Sequence, residues 1–334
     1  MQQRRLTSEQ WSEYWKRDSV TTFARQFDAN YDAEFAAFWD SVFERLSDGA
    51  SIVDLATGNG AVAFLAAQFG RRCGRRFRIR GIDYAEIDPA TVLANNPHVA
   101  PLLSDVAFQG RVRIEKTGLA DDSVDLLTSQ YGFEYADRTE AVVEARRVLK
   151  KGALIALIMH HEKSEIIKLA ADGLKQARYC IRDEKLDARV IALVRAMGNA
   201  TTLAERRRLS TNEKTESLRK KLNAAVARVN ARATRYADPE GFIGVIVPNL
   251  LNVFLQHKDA PLGEKLSYLR RVREDILSFE KRMVDLQQAA LSDSQFRALV
   301  DELRTSGFRV CDDKALHYGP SRHLMGWELI AEKT

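Results

Sequence analysis

The sequence predicts an α/β fold: a doubly wound, mostly parallel sheet of seven strands, with helices before it and a large all-helical insertion after the fifth strand. Between residues 50 and 161, apolar strand-like segments alternate with helical segments, which is typical of parallel βα units. A glycine-containing turn follows the first strand. From residue 162 the alternation stops, and the chain becomes polar and helical up to residue 290.

Four regions follow from this pattern. Residues 1–49 are predicted to form an N-terminal helical cap, because apolar residues recur every three or four positions between Phe23 and Leu46. Residues 50–161 form the core of the sheet, residues 162–290 the insertion, and residues 291–334 the last helix and two strands. Within the core, strands are predicted at 51–56, 77–83, 111–116, 124–130 and 153–161, and helices at 61–69, near 88–95, and at 138–152.

The composition indicates a globular protein in a reducing compartment. Three cysteines, Cys73, Cys180 and Cys311, lie far apart among 334 residues, so we expect neither a disulfide framework nor a metal site. The N-terminus has no apolar run, and the most apolar segment, 242–255, is too short to span a bilayer. We therefore expect a cytoplasmic protein without a transmembrane segment.

The basic charge is concentrated in the insertion. Residues 162–290 contain 25 Lys and Arg against 17 Asp and Glu, whereas the rest of the chain contains 26 against 29. A solvated helix face explains such a distribution, and so does a surface that attracts an anionic acceptor, a lipid head group or RNA.

The turn after the first strand predicts a nucleoside cofactor. The sequence from Gly58 to Ala63 matches the dinucleotide pattern G-x-G-x-x-G/A, which also occurs where a helix packs closely on a strand without a ligand. Asp54 ends the strand four residues before Gly58, where a carboxylate would repel a pyrophosphate. The sequence therefore favours a cofactor that carries positive charge and no phosphate.

At this point the chain resembles the class I S-adenosylmethionine-dependent methyltransferases. The segment VDLATGNG is similar to their glycine motif, although Ala56 stands where the family has its first glycine. We expect alanine to be tolerated there if it keeps a negative φ. The segments RIRGIDYA, RIEKTGLADDSVDLLTSQ and EARRVLKKGALIALI match the family in order and spacing, so the resemblance covers about 50–160 and 292–334.

The resemblance implies S-adenosylmethionine as the cofactor and assigns residues to it. Asp83 would bind both ribose hydroxyls, Glu115 the adenine amino group, and the backbone N–H of Lys116 would face the adenine ring. The full set of cofactor-binding residues that it implies is Asp54, Ala56, Thr57, Gly58, Asn59, Gly60, Asp83, Tyr84, Glu115, Lys116, Ser129 and Gln130.

Candidate catalytic residues follow the fourth and fifth strands, since ligands of open α/β sheets bind at the carboxyl ends of the strands. Tyr131 and Glu134 lie after the fourth strand, and His160 and His161 end the fifth. A histidine can deprotonate a hydroxyl or an amine, but adjacent residues on a strand point to opposite faces, so at most one of the two faces the site. Packing of the tyrosine and structural roles for the histidines remain alternatives.

Three functions are compatible with these observations. The first is a methyltransferase acting on an oxygen or nitrogen of a small or medium-sized, possibly anionic, metabolite, with the insertion covering the acceptor site. The second is an RNA-modifying methyltransferase that uses the basic insertion. The third is a non-catalytic assembly protein, or a homodimer, that pairs helices through the stripe Leu218, Leu222, Val226 and Val229.

Overall fold

The computed structural model describes residues 5–22, 29–200, 202–238 and 241–334. The predicted helical positions Phe23 and Phe27 lie outside these residues. The chain divides into two compact units. The first, unit 1, comprises Met1–Ile167 and Ala289–Thr334, and the second, unit 2, comprises Lys168–Gln288.

Unit 1 contains all seven strands. In chain order its elements are α1 (Ser8–Trp15), α2 (Ala33–Phe43), β1 (Ser51–Leu55), α3 (Ala61–Cys73), β2 (Arg78–Ile82), α4 (Pro89–Val92), β3 (Val106–Gln109), β4 (Val124–Gln130), α5 (Arg138–Val148) and β5 (Leu149–Met159). The chain then passes through unit 2 and returns to unit 1 as a further helix, Asp293–Thr305, and the strands β6 (Phe308–Tyr318) and β7 (His323–Lys333).

The seven strands form one sheet in the order β3-β2-β1-β4-β5-β7-β6. The sheet is mixed, because β7 runs antiparallel to both of its neighbours while the other pairings are parallel. The strand order reverses between β1 and β4, and open α/β sheets bind ligands at the carboxyl ends of the strands on either side of such a reversal. The fold thus places a candidate site where β1, β2 and β4 end.

The third strand differs from its prediction. Residues 106–109 pair with β2, whereas the predicted strand 111–116 forms turns. Arg111 has a φ of +59°, and its backbone N–H donates to the Ala85 carbonyl, while Val112 donates to the Asp83 carbonyl. The apolar alternation that predicted a strand therefore arises from turns that place Val112 and Ile114 in the core.

The centre of the sheet is buried on both faces. Every residue from Ala153 to Met159 of β5 is buried, as its continuous apolar sequence predicts for a strand covered on both sides. The apolar residues of α5, such as Val142 and Val148, pack into the same core together with Leu299 of the Asp293–Thr305 helix. Two helices from distant parts of the chain thus share the core of this sheet.

The described residues of unit 2 form helices and their connecting turns, and none of them forms a strand. The helices are α6 (Glu165–Arg178, which begins in unit 1), α7 (Leu186–Met197), α8 (Leu203–Ser210), α9 (Glu213–Ala233), α10 (Phe242–Leu255) and α11 (Leu262–Ala289). We number the Asp293–Thr305 helix of unit 1 α12. None of the helices in the described residues combines the length and the apolar character that a membrane span requires.

The core of unit 2 uses the stripe that suggested helix pairing with another chain. Leu222 and Val229 of α9 are buried in this core, and Leu218 and Val226 pack against it. The apolar face of α10, including Leu250, lies in the same cluster. The stripe on α9 is therefore covered within unit 2 itself, which removes the observation that favoured assembly through this helix.

Candidate functional site

The turn between β1 and α3 has the left-handed backbone of a glycine turn. Gly58 and Gly60 have φ values of +53° and +94°, which glycine adopts without strain. Ala56 also has a positive φ, +52°, so the condition under which alanine was expected to be tolerated, a negative φ, is not met. The family's first glycine would be unstrained at this position, and alanine adopts the same turn at a conformational cost.

Asp54 lies beneath this turn and fastens it to β4. Its carboxylate accepts hydrogen bonds from the Thr57 and Thr128 hydroxyls, at 2.6 and 2.8 Å. The side chain is 2% exposed, and burial raises the pKa of Asp54 to about 7. These contacts of Asp54 are structural, and an electrostatic preference for a cationic cofactor remains a prediction.

Asp83 connects the glycine turn to the loop after β2. One carboxylate oxygen accepts from the Gly58 N–H and the other from the Ala85 N–H, both at 2.7 Å. Burial raises the pKa of Asp83 to about 6. A carboxylate offers about four acceptor positions, and these two hydrogen bonds use two of them.

The residues assigned to the adenine are partly engaged elsewhere. Glu115 accepts hydrogen bonds from Arg113 at 2.9 Å and from the Asp137 N–H at 3.0 Å. The Lys116 N–H, which was expected to face the ring, donates to the Arg113 carbonyl at 3.1 Å. The Arg113 guanidinium also lies 5.6 Å from the centre of the half-exposed Tyr84 ring, so Arg113 holds both side chains.

Ser129 and Gln130 fix the end of β4. The Ser129 hydroxyl donates to the Leu55 carbonyl at 2.8 Å, which ties β4 to the end of β1. The Gln130 side-chain oxygen accepts from the Trp39 indole N–H at 2.6 Å, which ties β4 to α2. Both side chains therefore hydrogen-bond within the protein and fasten the end of β4 to its neighbours.

Glu134 and His160 form a buried polar cluster after β4 and β5. One Glu134 oxygen accepts the His160 backbone N–H at 2.6 Å. The His160 ring stacks on Tyr131 with centroids 4.3 Å apart and meets Tyr135 edge-on at 6.2 Å. Burial raises the pKa of Glu134 to about 7 and lowers the pKa of His160 to about 3, so this histidine is neutral at pH 7.

His161 lies on the other face of β5, as the alternation of a strand requires. Its ring stacks on Trp327 with centroids 4.3 Å apart, and its Nδ1 accepts the Lys163 backbone N–H at 3.0 Å. The structure thus brings Tyr131, Glu134 and His160 together and leaves His161 outside the cluster.

Five buried polar atoms in the glycine turn, at the end of β4, and after β4 and β5 have no hydrogen-bond partner among the described residues. They are Oδ1 of Asn59, Nε2 of Gln130, Oε2 of Glu134, Nη1 of Arg138 and Nδ1 of His160. Buried polar groups are normally paired, so these atoms are available to a ligand or to ordered water. Acceptors at Asn59 and Asp83 suit a molecule with hydroxyl and ammonium donors, which S-adenosylmethionine carries.

A comparison with protein families finds one match, which overlaps the residues of this site. Residues 53–157 match the family described as "Methyltransferase domain". Residues 53–157 of this chain are thus similar to a methyltransferase domain. The match confirms the resemblance predicted from the glycine motif, and the cofactor of this family is S-adenosylmethionine.

Solved structures share limited similarity with this chain. YcgJ from Bacillus subtilis is 20% identical over 43% of this chain and 58% of its own, with a TM-score of 0.33. The geranyl diphosphate C-methyltransferase of Streptomyces coelicolor is 16% identical over 47% and 67%, with a TM-score of 0.33. The [4+2]-cyclase SpnF is 15% identical over 98% and 97%, with a TM-score of 0.41. At these TM-scores none of the likenesses determines an activity.

No curated protein matches the sequence. Among the described residues there is also no group of three or more His, Cys, Asp and Glu side chains that could hold a metal ion.

Nothing in the local sequence indicates that α1 contacts the candidate site. Its start is visible as a capping box, since Thr7 and Gln10 each bond the other's backbone N–H. Its Ser8 hydroxyl donates to the Tyr84 carbonyl at 2.6 Å, directly after the ribose-assigned Asp83. This contact could not be predicted from the sequence, because Ser8 and Tyr84 are 76 positions apart.

Proposed function

We propose that this protein is an S-adenosylmethionine-dependent methyltransferase that acts on an oxygen or nitrogen of a small or medium-sized metabolite. The observation that carries the proposal is the hydrogen bond between Asp83 and Gly58 inside a methyltransferase domain. It joins the two parts of the site, the glycine turn and the ribose-assigned carboxylate, at the strand ends where such sheets bind ligands.

In this proposal the cofactor lies along the ends of β1, β2 and β4. Asp83 binds the ribose hydroxyls through its remaining acceptor positions, and Asn59 Oδ1 accepts a hydrogen bond from the cofactor. Tyr84 and Glu115 flank the adenine, and the residues 56–60 approach the methionine part. The bound cofactor supplies a methyl group on a sulfonium, which needs alignment more than activation.

The acceptor is proposed to bind beside Tyr131, Glu134 and His160. Because the pKa of Glu134 is about 7, its carboxylate is a base near neutral pH and takes the proton that a hydroxyl or an amine loses. His160 is neutral and stays so, and its unpartnered Nδ1 orients the acceptor by a hydrogen bond. A methyl acceptor with a hydroxyl or an amine group can donate a hydrogen bond to the Glu134 carboxylate and to His160 Nδ1.

We also propose that residues 162–290 form an insertion that selects the acceptor. The chain leaves β5 directly after His160 and returns at Leu291, whose backbone N–H donates to the His160 carbonyl at 2.8 Å. The segment therefore starts and ends next to the proposed acceptor residues. A variant in which a short linker replaces 168–288 should keep cofactor binding and lose its acceptor preference.

The first test is calorimetric titration with S-adenosylmethionine and with its demethylated product, S-adenosylhomocysteine. We expect Asp83→Ala to abolish binding and Asp83→Asn to weaken it at least tenfold, because both remove the ribose carboxylate. The matched control is Asp125→Ala, which removes a carboxylate that bonds Ser51 and Lys150 near the start of β4. Wild-type affinity in both Asp83 variants, with the fold intact by circular dichroism, would disprove the ribose assignment.

The second test identifies the acceptor. The protein is incubated with methyl-tritiated S-adenosylmethionine and a cell extract, which is then separated into metabolites, RNA and proteins. We expect label in the metabolites, and none there when Glu134→Gln is used. Label in RNA would instead support the RNA-modifying alternative, which the basic charge of residues 162–290 favours. Cofactor binding without label in any fraction would support a non-catalytic role.

A further inference from the structure

Helix α1 lies across the ends of three strands of the sheet. Its Ser8 and Ser12 hydroxyls bond the loop after β2, Ser8 by donating to the Tyr84 carbonyl and Ser12 by accepting the Glu86 N–H at 2.8 Å. Trp11 meets Tyr135, after β4, edge-on with centroids 5.7 Å apart. The helix therefore spans the crevice in which the cofactor is proposed to bind.

At its C-terminal end the helix closes on the glycine turn. The Trp15 ring packs directly on Gly58, so closely that a Cβ at position 58 would overlap the indole. The chain that follows is held as well, because the Asn59 side-chain amide donates to the carbonyls of Arg17 and Ser19, at 3.0 and 2.9 Å. Gly58 is thus required both by its positive φ and by the Trp15 ring.

The attachment of α1 differs from that of the next helix. No residue of α1 is buried, whereas α2 buries five, including Phe35 and Trp39. Its contacts named above are two hydrogen bonds to exposed residues, the edge-on contact of Trp11 with Tyr135, and the packing of Trp15 on Gly58. Segments with little buried apolar surface open at a lower free energy than the core does, so α1 is suited to detach while the sheet stays folded.

We infer that α1 is a cover of the cofactor site, and that Trp15 is a cofactor-binding residue. The inference rests on the proposed function. The helix moves away to admit the cofactor and then closes, with the indole forming the outer wall over the glycine turn. An aromatic wall excludes water and adds apolar contact area, and it slows dissociation of the bound cofactor.

Trp15→Ala tests this inference by stopped-flow and calorimetric measurement of S-adenosylhomocysteine binding. We expect about tenfold weaker affinity, mainly from faster dissociation, and Trp15→Phe should recover part of the loss. The control on the same helix is Glu13→Ala, because the Glu13 side chain is 72% exposed and pairs only with Lys16 among its named contacts. This control should bind like the wild type.

Hydrogen exchange of the wild-type protein provides a measurement that does not depend on the folding of a variant. We expect S-adenosylhomocysteine to slow exchange in residues 8–15. Unchanged affinity in Trp15→Ala overturns the inference, and so does unchanged exchange in α1. Tighter binding by Trp15→Ala overturns it too, since the indole would then compete with the cofactor. If the wild type and Glu13→Ala bind no S-adenosylhomocysteine, the proposed function itself fails.

Discussion

Ala56 shows how a single residue accommodates a departure from the glycine motif. Its φ of +52° is costly for any residue with a Cβ, by about 1–2 kcal/mol relative to glycine. Its methyl group lies where Gly132, after β4, comes close: a Cβ on Gly132 would be 2.5 Å from that of Ala56. The Ala56 methyl group thus fits because the neighbouring loop has a glycine, Gly132, at the point of contact.

This contact predicts a coupling between the two positions. Gly132→Ala should destabilise the protein by about 2 kcal/mol, because the two methyl groups would overlap. In an Ala56→Gly background the same change should cost less than half as much, while Ala56→Gly alone should stay within about 1 kcal/mol of the wild type. Denaturant titration of the four proteins measures this; additive effects would contradict the contact.

The buried carboxyl of Glu134 predicts a pH dependence of stability. Its pKa is raised from 4.5 to about 7, so its stabilising contribution is complete below pH 4.5 and is lost as the pH rises through 7. Glu134→Gln has no such loss. Its stability relative to the wild type should therefore increase between pH 4.5 and 8, by on the order of 3 kcal/mol.

Hydrogen exchange of peptides from β4 and β5 at several pH values measures this difference for unit 1. Glu140→Gln, on the exposed side of the adjacent helix α5, is the matched control, and its difference from the wild type should be flat across the same range. A flat profile for Glu134→Gln would show that Glu134 is not a buried carboxyl with a raised pKa.

At the scale of elements, the local hydrophobic pattern predicted β5 correctly and the segment after β3 incorrectly. The continuous apolar run of β5 correctly predicted a strand buried on both faces, because such a run leaves no side for solvent. The alternation in residues 111–116 predicted a strand that is absent. The same alternation arises from turns that are anchored to Asp83 and Ala85, and these partners are distant in sequence.

The contacts of helix α1 likewise depend on residues that are distant in sequence. Its capping box and helical spacing are local, and the N-terminal region was predicted to be helical. Its contacts with Tyr84, Tyr135 and Gly58 depend on how the chain returns over the sheet. A residue such as Trp15 could therefore not be assigned to the site from the sequence.

At the scale of the whole molecule, two units each have a hydrophobic core of their own. All residues assigned to the cofactor belong to unit 1. Residues 168–288, which make up unit 2, carry 24 basic and 15 acidic side chains. The positive charge of the protein is thus concentrated in the unit that contains none of the proposed cofactor residues.

This division predicts that a core defect in unit 2 spares cofactor binding. Leu250→Ala truncates a side chain that is 1% exposed in α10 and should destabilise unit 2 by about 2–5 kcal/mol. The affinity for S-adenosylhomocysteine should stay at the wild-type value. Leu255→Ala, on the same helix but 67% exposed, should change neither quantity. Hydrogen exchange of α9 and α10 and calorimetric titration measure the two effects; weaker binding by Leu250→Ala would refute the separation.

The sequence by itself determined the alternation of strands and helices, the glycine turn and the carboxylate at the end of the second strand. These features depend on short-range periodicity and on backbone conformations that particular residues favour. Only the tertiary structure decided that Asp54 lies beneath the turn, that His160 rather than His161 joins Glu134, and that Trp15 covers Gly58. Each of these depends on contacts between residues that are brought together by packing, and packing is not encoded in any local pattern.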